Sequence, residues 1–153
     1  MAGIFGVVSK KENCSEQLFY GVDYHSHLGT DFAGLAVFGN NGIERKIHDI
    51  RGENFRPKFQ QAYRGMKGRY GVGVIGYDIQ PIVLSSRLGV FAIVVNGNIS
   101  NLDELMKELQ AEGTNFAEIQ ADGSISPAEV VGELVTRGKT LEEGIEIVFR
   151  RIC

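Results

Sequence analysis

The side chains with the most direct chemical capacity in this chain are its thiols and a pair of closely spaced imidazoles. Cys14 lies at the predicted start of a helix, where the thiolate that acts as a nucleophile is modestly favoured. We nevertheless interpret Cys14 as an inert cysteine. His25 and His27 are two residues apart, which does not place them on one face of a helix. With no cysteine or acidic residue at metal-ligand spacing, the sequence predicts no metal site, and His27 is expected to pack against or cap the helix end.

Three glycines match a dinucleotide fingerprint by their spacing alone. Gly71, Gly73 and Gly76 fit the pattern Gly-x-Gly-x-x-Gly. That fingerprint needs a strand, a glycine turn and then a helix whose N-terminus receives the phosphates. Here the glycines lie inside strand-like residues that run on to Gln80-Pro81. The sequence therefore predicts no dinucleotide site, and no other cofactor is expected.

Several short motifs follow one another in a fixed order along the chain. They are Gly3-Ile4-Phe5-Gly6-Val7-Val8, Tyr20-Gly21-Val22-Asp23-Tyr24 with His27 and Gly29, Ile79-Gln80-Pro81, and Asn96-Gly97-Asn98 before a short predicted helix. In this order, and over residues 1–153, the pattern resembles the class II (N-terminal nucleophile) glutamine amidotransferases. It is most similar to the glutaminase domain of the amidophosphoribosyltransferases. This resemblance implies a connection with purine biosynthesis.

The resemblance implies a fold and an assembly. We expect an α+β chain with the Ntn-hydrolase-like αββα sandwich, formed as a single glutamine amidotransferase domain over residues 1–153. Because the resembling domain continues with further strands, the sandwich is expected to be incomplete at the C-terminus. An exposed sheet edge pairs readily with another strand. We therefore expect either a homo-oligomer or a complementing second polypeptide.

The resemblance also implies which positions would carry catalysis. In the family the first methionine is removed, and the exposed cysteine attacks the side-chain amide of glutamine with its own α-amino group as the base. This chain has Ala2 there, and a methyl group cannot become a thiolate. Asn96 and Gly97 match the family residues that donate to the oxyanion. An Asn-Gly pair also forms a tight turn by itself, so a purely structural role stays open for both.

Three further family positions that would hold glutamine are also changed. The arginine of the family's His-Arg-Gly turn is Leu28, and the aspartate of its Asp-Thr-Glu motif is Pro127. The segment 71–81 corresponds to the stretch that carries the carboxylate-binding arginine, and it contains none. A guanidinium gives bidentate contact with a carboxylate, and nothing in that segment replaces it. A combined loss of nucleophile and binding charges favours a natural pseudoenzyme over an engineered knock-out.

Three functions are consistent with these observations. The first is a glutamine amidotransferase-like domain without glutaminase activity that serves as a binding or regulatory module. The second is a functional amidotransferase domain altered at residue 2. The third is the old pocket reassigned to another small ligand, with Asn96 and Gly97 still donating hydrogen bonds. A glutamine-like or other small molecule is the expected partner.

Composition excludes several other classes of protein. The 153 residues are 43% hydrophobic and 23% charged, with a formal net charge of -3. This gives no basic field for nucleic acid or an anionic membrane, and neither partner is expected. Two cysteines do not make a disulfide framework, which favours a cytoplasmic location.

The elements that must position these residues follow from periodicity and punctuation. Apolar runs predict a strand over 3–9 that is buried on both faces and a strand over 90–95 in the middle of a covered sheet. Further strands are expected over 33–38, 43–50, 70–75 and 82–85, with an Asn40-Asn41-Gly42 turn. Helices are expected over 13–27, 56–66, 101–113, 126–138 and 140–152. Asn13, Asn101, Ser126 and Thr140 are predicted to cap them, with Glu104, Glu129 and Glu143 as reciprocal acids in the last three.

Overall fold

A computed structural model describes residues 2–29 and 31–153 and divides the chain into two compact units, Met1–Pro81 and Ile82–Cys153. The first unit contains β1 (Gly3–Val8), α1 (Ser15–Tyr24), β2 (Phe32–Gly39), β3 (Gly42–Asp49), α2 (Phe55–Phe59), α3 (Ala62–Gly65) and β4 (Tyr70–Gly76). The second contains β5 (Ile82–Ser86), β6 (Gly89–Ile93), α4 (Leu102–Ala111), α5 (Pro127–Val135) and α6 (Leu141–Arg151). That the two units form a single domain stays a prediction. In the described part of the chain, no helix combines the length and apolarity that crossing a bilayer requires.

An antiparallel sheet in the order β1-β4-β2-β3 is the frame of the first unit. Helix α1 packs on it through Leu18, Phe19 and Val22, which lie on one face of the helix. They are buried together with strand residues such as Leu35 and Ile75. Phe19 also stacks on Tyr63 of α3, with ring centroids 4.3 Å apart. The predicted helix over 56–66 is thus two short helices, α2 and α3, which turn Phe55, Phe59 and Tyr63 toward this core.

Glycines on β4 and α1 allow helix and sheet to approach closely. A Cβ atom on Gly73 would lie 2.4 Å from Val22 Cγ2, and one on Gly21 would lie 2.2 Å from the Phe5 ring. Any side chain at either position would displace the helix. Gly71, Gly73 and Gly76 therefore lie within a strand, as the sequence indicates, and Gly71 and Gly73 serve helix–sheet packing.

The β2–β3 hairpin forms at the predicted turn. Gly39 pairs with Gly42 across a loop of Asn40 and Asn41, and Gly42 takes the positive φ of +99°. Helix α1 begins two residues later than predicted. Asn13 precedes it, and the Asn13 Oδ1 atom accepts the Ser15 N–H at 3.1 Å. The helix ends at Tyr24 instead of His27.

The two outer strands of this sheet differ in character. In β3 most residues are polar or charged: Glu44, Arg45, Lys46, His48 and Asp49. In β1 exposed and less exposed residues alternate, and Val8 is 79% exposed. The prediction of a strand buried on both faces is therefore wrong for β1, because it lies at an edge of the sheet and packs only one face against α1.

In the second unit, β5 and β6 pair as a two-stranded antiparallel sheet. The prediction that residues 90–95 lie in the middle of a covered sheet is wrong, since β6 ends at Ile93, pairs with β5 on one side and leaves Val90 half exposed. Helices α4, α5 and α6 share a second core whose fully buried members are Leu105, Leu109, Val130 and Leu134.

Three predicted helix caps have different outcomes. For α6 the prediction is confirmed, because Thr140 Oγ1 accepts the Glu143 N–H at 3.2 Å and Glu143 Oε2 accepts the Lys139 N–H at 2.8 Å. For α4 it is wrong: the Asn101 side chain donates to the Arg151 carbonyl at 2.7 Å and accepts the Cys153 N–H at 3.1 Å. These bonds tie the end of α6 to the start of α4.

The cap predicted for α5 is also wrong. Pro127 does open the helix after Ser126, but the Ser126 side chain makes no capping bond. At the other end, Arg87 Nη2 donates to the Gly138 carbonyl at 2.8 Å and to the Arg137 carbonyl at 3.1 Å. A guanidinium thus satisfies carbonyls left open at the helix C-terminus.

Candidate functional site

Residue 2 lies among small residues of the first unit. Ala2 immediately precedes β1 and is half-buried. A Cβ atom added to Gly76, at the end of β4, would lie 2.8 Å from the Ala2 Cβ. One added to Gly29 would lie 2.6 Å from the Gly76 backbone nitrogen. Three chain segments therefore meet beside Ala2 at backbone distance, and a side chain at position 76 would require residue 2 to move.

His25 lies on the helix side of this position. A Cβ atom on Gly3 would be 2.4 Å from the His25 Cβ, so the first residue of β1 packs directly on this histidine. The His25 Nδ1 atom is 2.8 Å from the Gly21 carbonyl oxygen. Because a carbonyl only accepts, Nδ1 carries the proton and donates it. His25 is thus held by its own helix.

A cleft of about 790 Å³ opens beside Gly29 in the same unit. Its lining includes His27 and the charged residues Asp23, Arg51, Glu53 and Arg56. The two guanidiniums in it already hold carboxylates. Arg56 Nη2 lies 2.5 Å from Asp23 Oδ2, and Arg51 Nη2 lies 2.5 Å from Asp49 Oδ2.

The Arg51–Asp49 pair changes the acidity of its carboxyl group. Hydrogen bonds from the Arg51 side chain and backbone lower the pKa of Asp49 to about 2. The carboxylate therefore stays charged and keeps its guanidinium partner over the physiological pH range. A ligand carboxylate entering the cleft would have to compete with Asp49 and Asp23 for these two arginines.

The segment after β4 is fixed against the sheet. A Cβ atom on Gly34 of β2 would lie 1.9 Å from the Gln80 carbonyl oxygen, so Gln80-Pro81, joined by a cis peptide bond, lies directly on β2. Arg45 Nη1 donates to the Pro81 carbonyl at 3.1 Å. This guanidinium thus hydrogen-bonds the backbone beside the segment that contains no arginine of its own.

Cys14 is not available as a substitute nucleophile. It is fully buried, and a Cβ atom on Gly71 would lie 3.2 Å from its sulfur. Burial raises the pKa of the Cys14 thiol, which disfavours the reactive thiolate. The interpretation of Cys14 as an inert cysteine is consistent with this environment.

The Asn96-Gly97 pair lies in the second unit. Both residues are exposed and stand between β6 and α4. Gly97 has a φ of +142°, and no atom lies within 4 Å of a Cβ built there. The turn therefore requires glycine for its backbone conformation and not for space. Ala2 belongs to the first unit, and Asn96 and Gly97 belong to the second.

Glu129 has a role that the sequence did not reveal. It is 4% exposed, and its two carboxylate oxygens accept the N–H groups of Ala117 at 2.8 Å and Glu118 at 2.9 Å. The pattern Ser-Pro-x-Glu predicted a reciprocal cap, but the acid instead fixes a loop eleven to twelve residues earlier in the chain. No local signal in the sequence marks those two N–H groups as its partners.

Comparison with known proteins identifies the relatives of this chain. No protein-family model matches it. An amidophosphoribosyltransferase from Methanocaldococcus jannaschii is 29% identical over 148 residues, covering 90% of this chain. A glutamine–fructose-6-phosphate aminotransferase from Bradyrhizobium diazoefficiens is 28% identical over 157 residues and covers 99%. The chain is a homologue of the class II glutamine amidotransferases.

The same relationship holds for the fold. A glutamine phosphoribosylpyrophosphate amidotransferase from B. subtilis superposes with a TM-score of 0.82 over 99% of this chain, at 22% sequence identity. The predicted α+β, N-terminal-nucleophile type of fold is thereby confirmed. The chain spans about 30% of the length of the amidophosphoribosyltransferases that it matches, and 33% of that solved chain.

The positions predicted from the family resemblance lie at the ends of elements in the structure. Ala2 precedes the edge strand β1, and Leu28 follows the end of α1. Pro127 is the first residue of α5, where a proline is well accommodated because that N–H has no partner within the helix.

Proposed function

We propose that this chain is a glutamine amidotransferase-like domain without glutaminase activity that serves as a binding or regulatory module. The observation that carries the proposal is the methyl group at residue 2. The chain has two cysteines, of which Cys14 is buried in the core of the first unit and Cys153 is the last residue. Neither stands at a position from which the family's nucleophile acts.

The arginines of the first unit support the same proposal. Segment 71–81 has none, and the two guanidiniums of the cleft beside Gly29 hold Asp23 and Asp49. A lost charged hydrogen bond costs roughly 1.5–3 kcal/mol of binding. Two such contacts are lost here, from the arginine missing in segment 71–81 and from the aspartate replaced by Pro127. Glutamine is therefore weakly held even where a thiol is restored at residue 2.

The direct test measures glutamate formed from glutamine by the purified chain and by its Ala2→Cys variant. We expect neither protein to release glutamate above the protein-free rate. Intact mass must show that Met1 has been removed from the variant, so that its cysteine is the first residue. Glutamate release by the unaltered chain would refute the proposal. Release only by Ala2→Cys would establish the second function, a working amidotransferase domain altered at one residue.

A second candidate function rests on the cleft beside Gly29. Its volume of about 790 Å³ suits a small metabolite, and it offers both carboxylates and guanidiniums. Under this hypothesis the ancestral site has been reassigned to another ligand. A thermal-shift series with glutamine, other amino acids, nucleotides and sugar phosphates tests it. Stabilisation that is lost in Arg56→Gln supports reassignment, and no stabilisation by any of these compounds rejects it for these classes.

The setting of this module is also part of the proposal. We place it in the cytoplasm, because both cysteines are free and the second lies exposed. The names of its relatives suggest a role beside purine biosynthesis.

A further inference from the structure

A row of three large apolar side chains runs along the exposed side of α6. Leu141, Ile145 and Phe149 are four residues apart, so they stand one above another on the same helix face. They are 46%, 43% and 82% exposed. A surface helix normally presents polar residues on its outer face. Burial of this apolar row against another surface would therefore be favourable.

Helix α6 packs within its own unit through a different side. A Cβ atom on Gly144 would lie 2.2 Å from the Val135 carbonyl oxygen, so the two helices touch at backbone distance there. Val148 and Ile152 then contact the second core. The exposed row lies beside this packed side.

The charges next to the apolar row are complementary at the two ends of that row. Glu142, Glu146 and Arg150 follow the three apolar residues by one position each and form a parallel row that is acidic, acidic and basic. In an antiparallel pair of helices, Glu142 of each copy meets Arg150 of the other, and Glu146 in the middle meets Glu146 of the second copy. The charge of Glu146 is balanced within its own chain, because Arg150 Nη2 contacts Glu146 Oε2 at 3.0 Å and both side chains are well exposed. The same order suits the helix dipole, so the charges set the orientation while the apolar row supplies the driving force.

We propose that α6 is a self-association surface on which a second copy of this chain docks antiparallel. A two-fold axis near Ile145 and Glu146 sets Leu141 of each copy against Phe149 of the other. The same axis brings Glu142 of each copy beside Arg150 of the other, so every contact is made twice. Three side chains from each copy form a small interface, so a weak and reversible dimer is expected.

Sedimentation equilibrium across micromolar to millimolar concentrations tests the dimer. The unaltered chain is expected to pass reversibly from monomer to dimer. Phe149→Ser removes the aromatic contact with Leu141 of the other copy at both ends of the interface and should raise the dissociation constant at least ~10-fold. Tyr24→Ser is the matched control, because Tyr24 is a 78% exposed aromatic residue on α1 and its loss should leave the dissociation constant unchanged.

Charge reversal tests the antiparallel orientation. Glu142→Arg and Arg150→Glu should each raise the dissociation constant roughly 10-fold, because attraction becomes repulsion at both symmetry-related pairs. The double variant E142R/R150E should return to within about threefold of the unaltered chain, and so should an equimolar mixture of the two single variants. Circular dichroism confirms that each variant keeps its helices.

The outcomes separate clearly. A chain that stays monomeric at every concentration overturns the proposal. A dimer that tolerates Phe149→Ser also overturns it, and points instead to another surface such as the β1 edge. Loss of the dimer in the single charge variants without recovery in the double variant or the mixture overturns the antiparallel arrangement. None of these results depends on glutamine hydrolysis.

Discussion

Ser126 begins α5 at a position where a serine hydroxyl normally stabilises a helix. Its Oγ atom is instead buried without a hydrogen-bond partner among the described residues. A buried polar atom without a partner costs free energy because it has lost its hydration. Ser126 therefore occupies the N-cap position of α5, but its hydroxyl group destabilises the fold instead of capping the helix.

This assignment predicts the sign of a stability change. Ser126→Ala should raise the free energy of unfolding by about 1 kcal/mol, whereas loss of a working cap lowers it by about the same amount. Thr140→Ala is the matched comparison, since Thr140 Oγ1 does accept the Glu143 N–H, and it should be destabilising. Urea unfolding followed by circular dichroism measures both. A destabilising Ser126→Ala would show that its hydroxyl does find a partner.

Glu129 is the opposite case, a buried acid whose oxygens are both used. In Glu129→Gln one oxygen becomes an NH₂ group that faces a backbone N–H, so one acceptor is replaced by a second donor. We expect the free energy of unfolding to fall by about 1–3 kcal/mol. Glu104→Gln on the exposed side of α4 should change it by less than about 0.5 kcal/mol. Equal effects in urea unfolding would contradict the structural role assigned to Glu129.

At the scale of elements, α1 and β4 pack closely because Gly73 of β4 has no side chain. A Cβ on Gly73 would meet Val22 Cγ2 at 2.4 Å and Leu35 Cδ2 at 2.9 Å. Both neighbours are fully buried core residues with little room to move. The distance between helix and sheet is therefore set by this glycine.

Gly73→Ala should consequently lower the free energy of unfolding by about 1–3 kcal/mol through overpacking. Gly52→Ala is the control, because no atom lies within 4 Å of a Cβ at that position. The control should be neutral to within about 0.5 kcal/mol. The comparison uses thermal or urea unfolding of the two variants, and a tolerated Gly73→Ala would mean that α1 shifts more easily than its packing indicates.

The sequence was most informative where punctuation and periodicity agreed. The hairpin at Asn40-Asn41-Gly42, the stop of α4 before Gly113 and the start of α6 at Thr140 were all predicted, because each depends on local backbone conformation. Gly113 has a φ of +94°, which is typical of a helix C-terminus. Such signals are contained in a few adjacent residues.

The errors share a physical cause, which is competition from residues distant in the chain. Asn101 bonds to Arg151 and Cys153, about fifty residues away, instead of its own helix. Glu129 likewise accepts the N–H groups of Ala117 and Glu118 in a distant loop and does not cap its own helix. In β1 and β6 an apolar sequence indicated burial, but burial depends on which strands lie alongside. The amino-acid types of one strand do not contain that information.

For the candidate site, the sequence identified the residue types but not their surroundings. The alanine at position 2 and the absence of arginine from segment 71–81 are visible in the sequence itself. The close approach of Gly29 and Gly76 beside Ala2 is not, because it joins three separate segments. The pairing of Arg51 and Arg56 with carboxylates also required the structure.

At the scale of the whole molecule, Cys14 provides a probe for whether the two units unfold together. Its thiol is fully buried and its pKa is raised, so alkylation in the native state should occur at Cys153 alone. Cys14 then reacts only when the first unit opens. The label thus reports on one unit while a mutation can be placed in the other.

If residues 1–153 form a single cooperative domain, Glu129→Gln in the second unit should accelerate the labelling of Cys14 in the first. A loss of about 1.4 kcal/mol corresponds to a roughly tenfold faster reaction when opening is at equilibrium. Mass spectrometry of the labelled peptides gives both rates. An unchanged rate at Cys14 would show that the units unfold separately.

The contrast between the outer strands β1 and β3 gives the four-stranded sheet a direction of growth. A strand arriving at β3 would lie beside a row of acidic and basic groups, with part of their hydration lost on pairing. A strand arriving at β1 would meet open backbone groups flanked by Ile4, Val7 and Val8. A strand that paired with this sheet would therefore meet fewer charged groups at β1 than at β3, and it would lie beside the edge strand that Ala2 precedes.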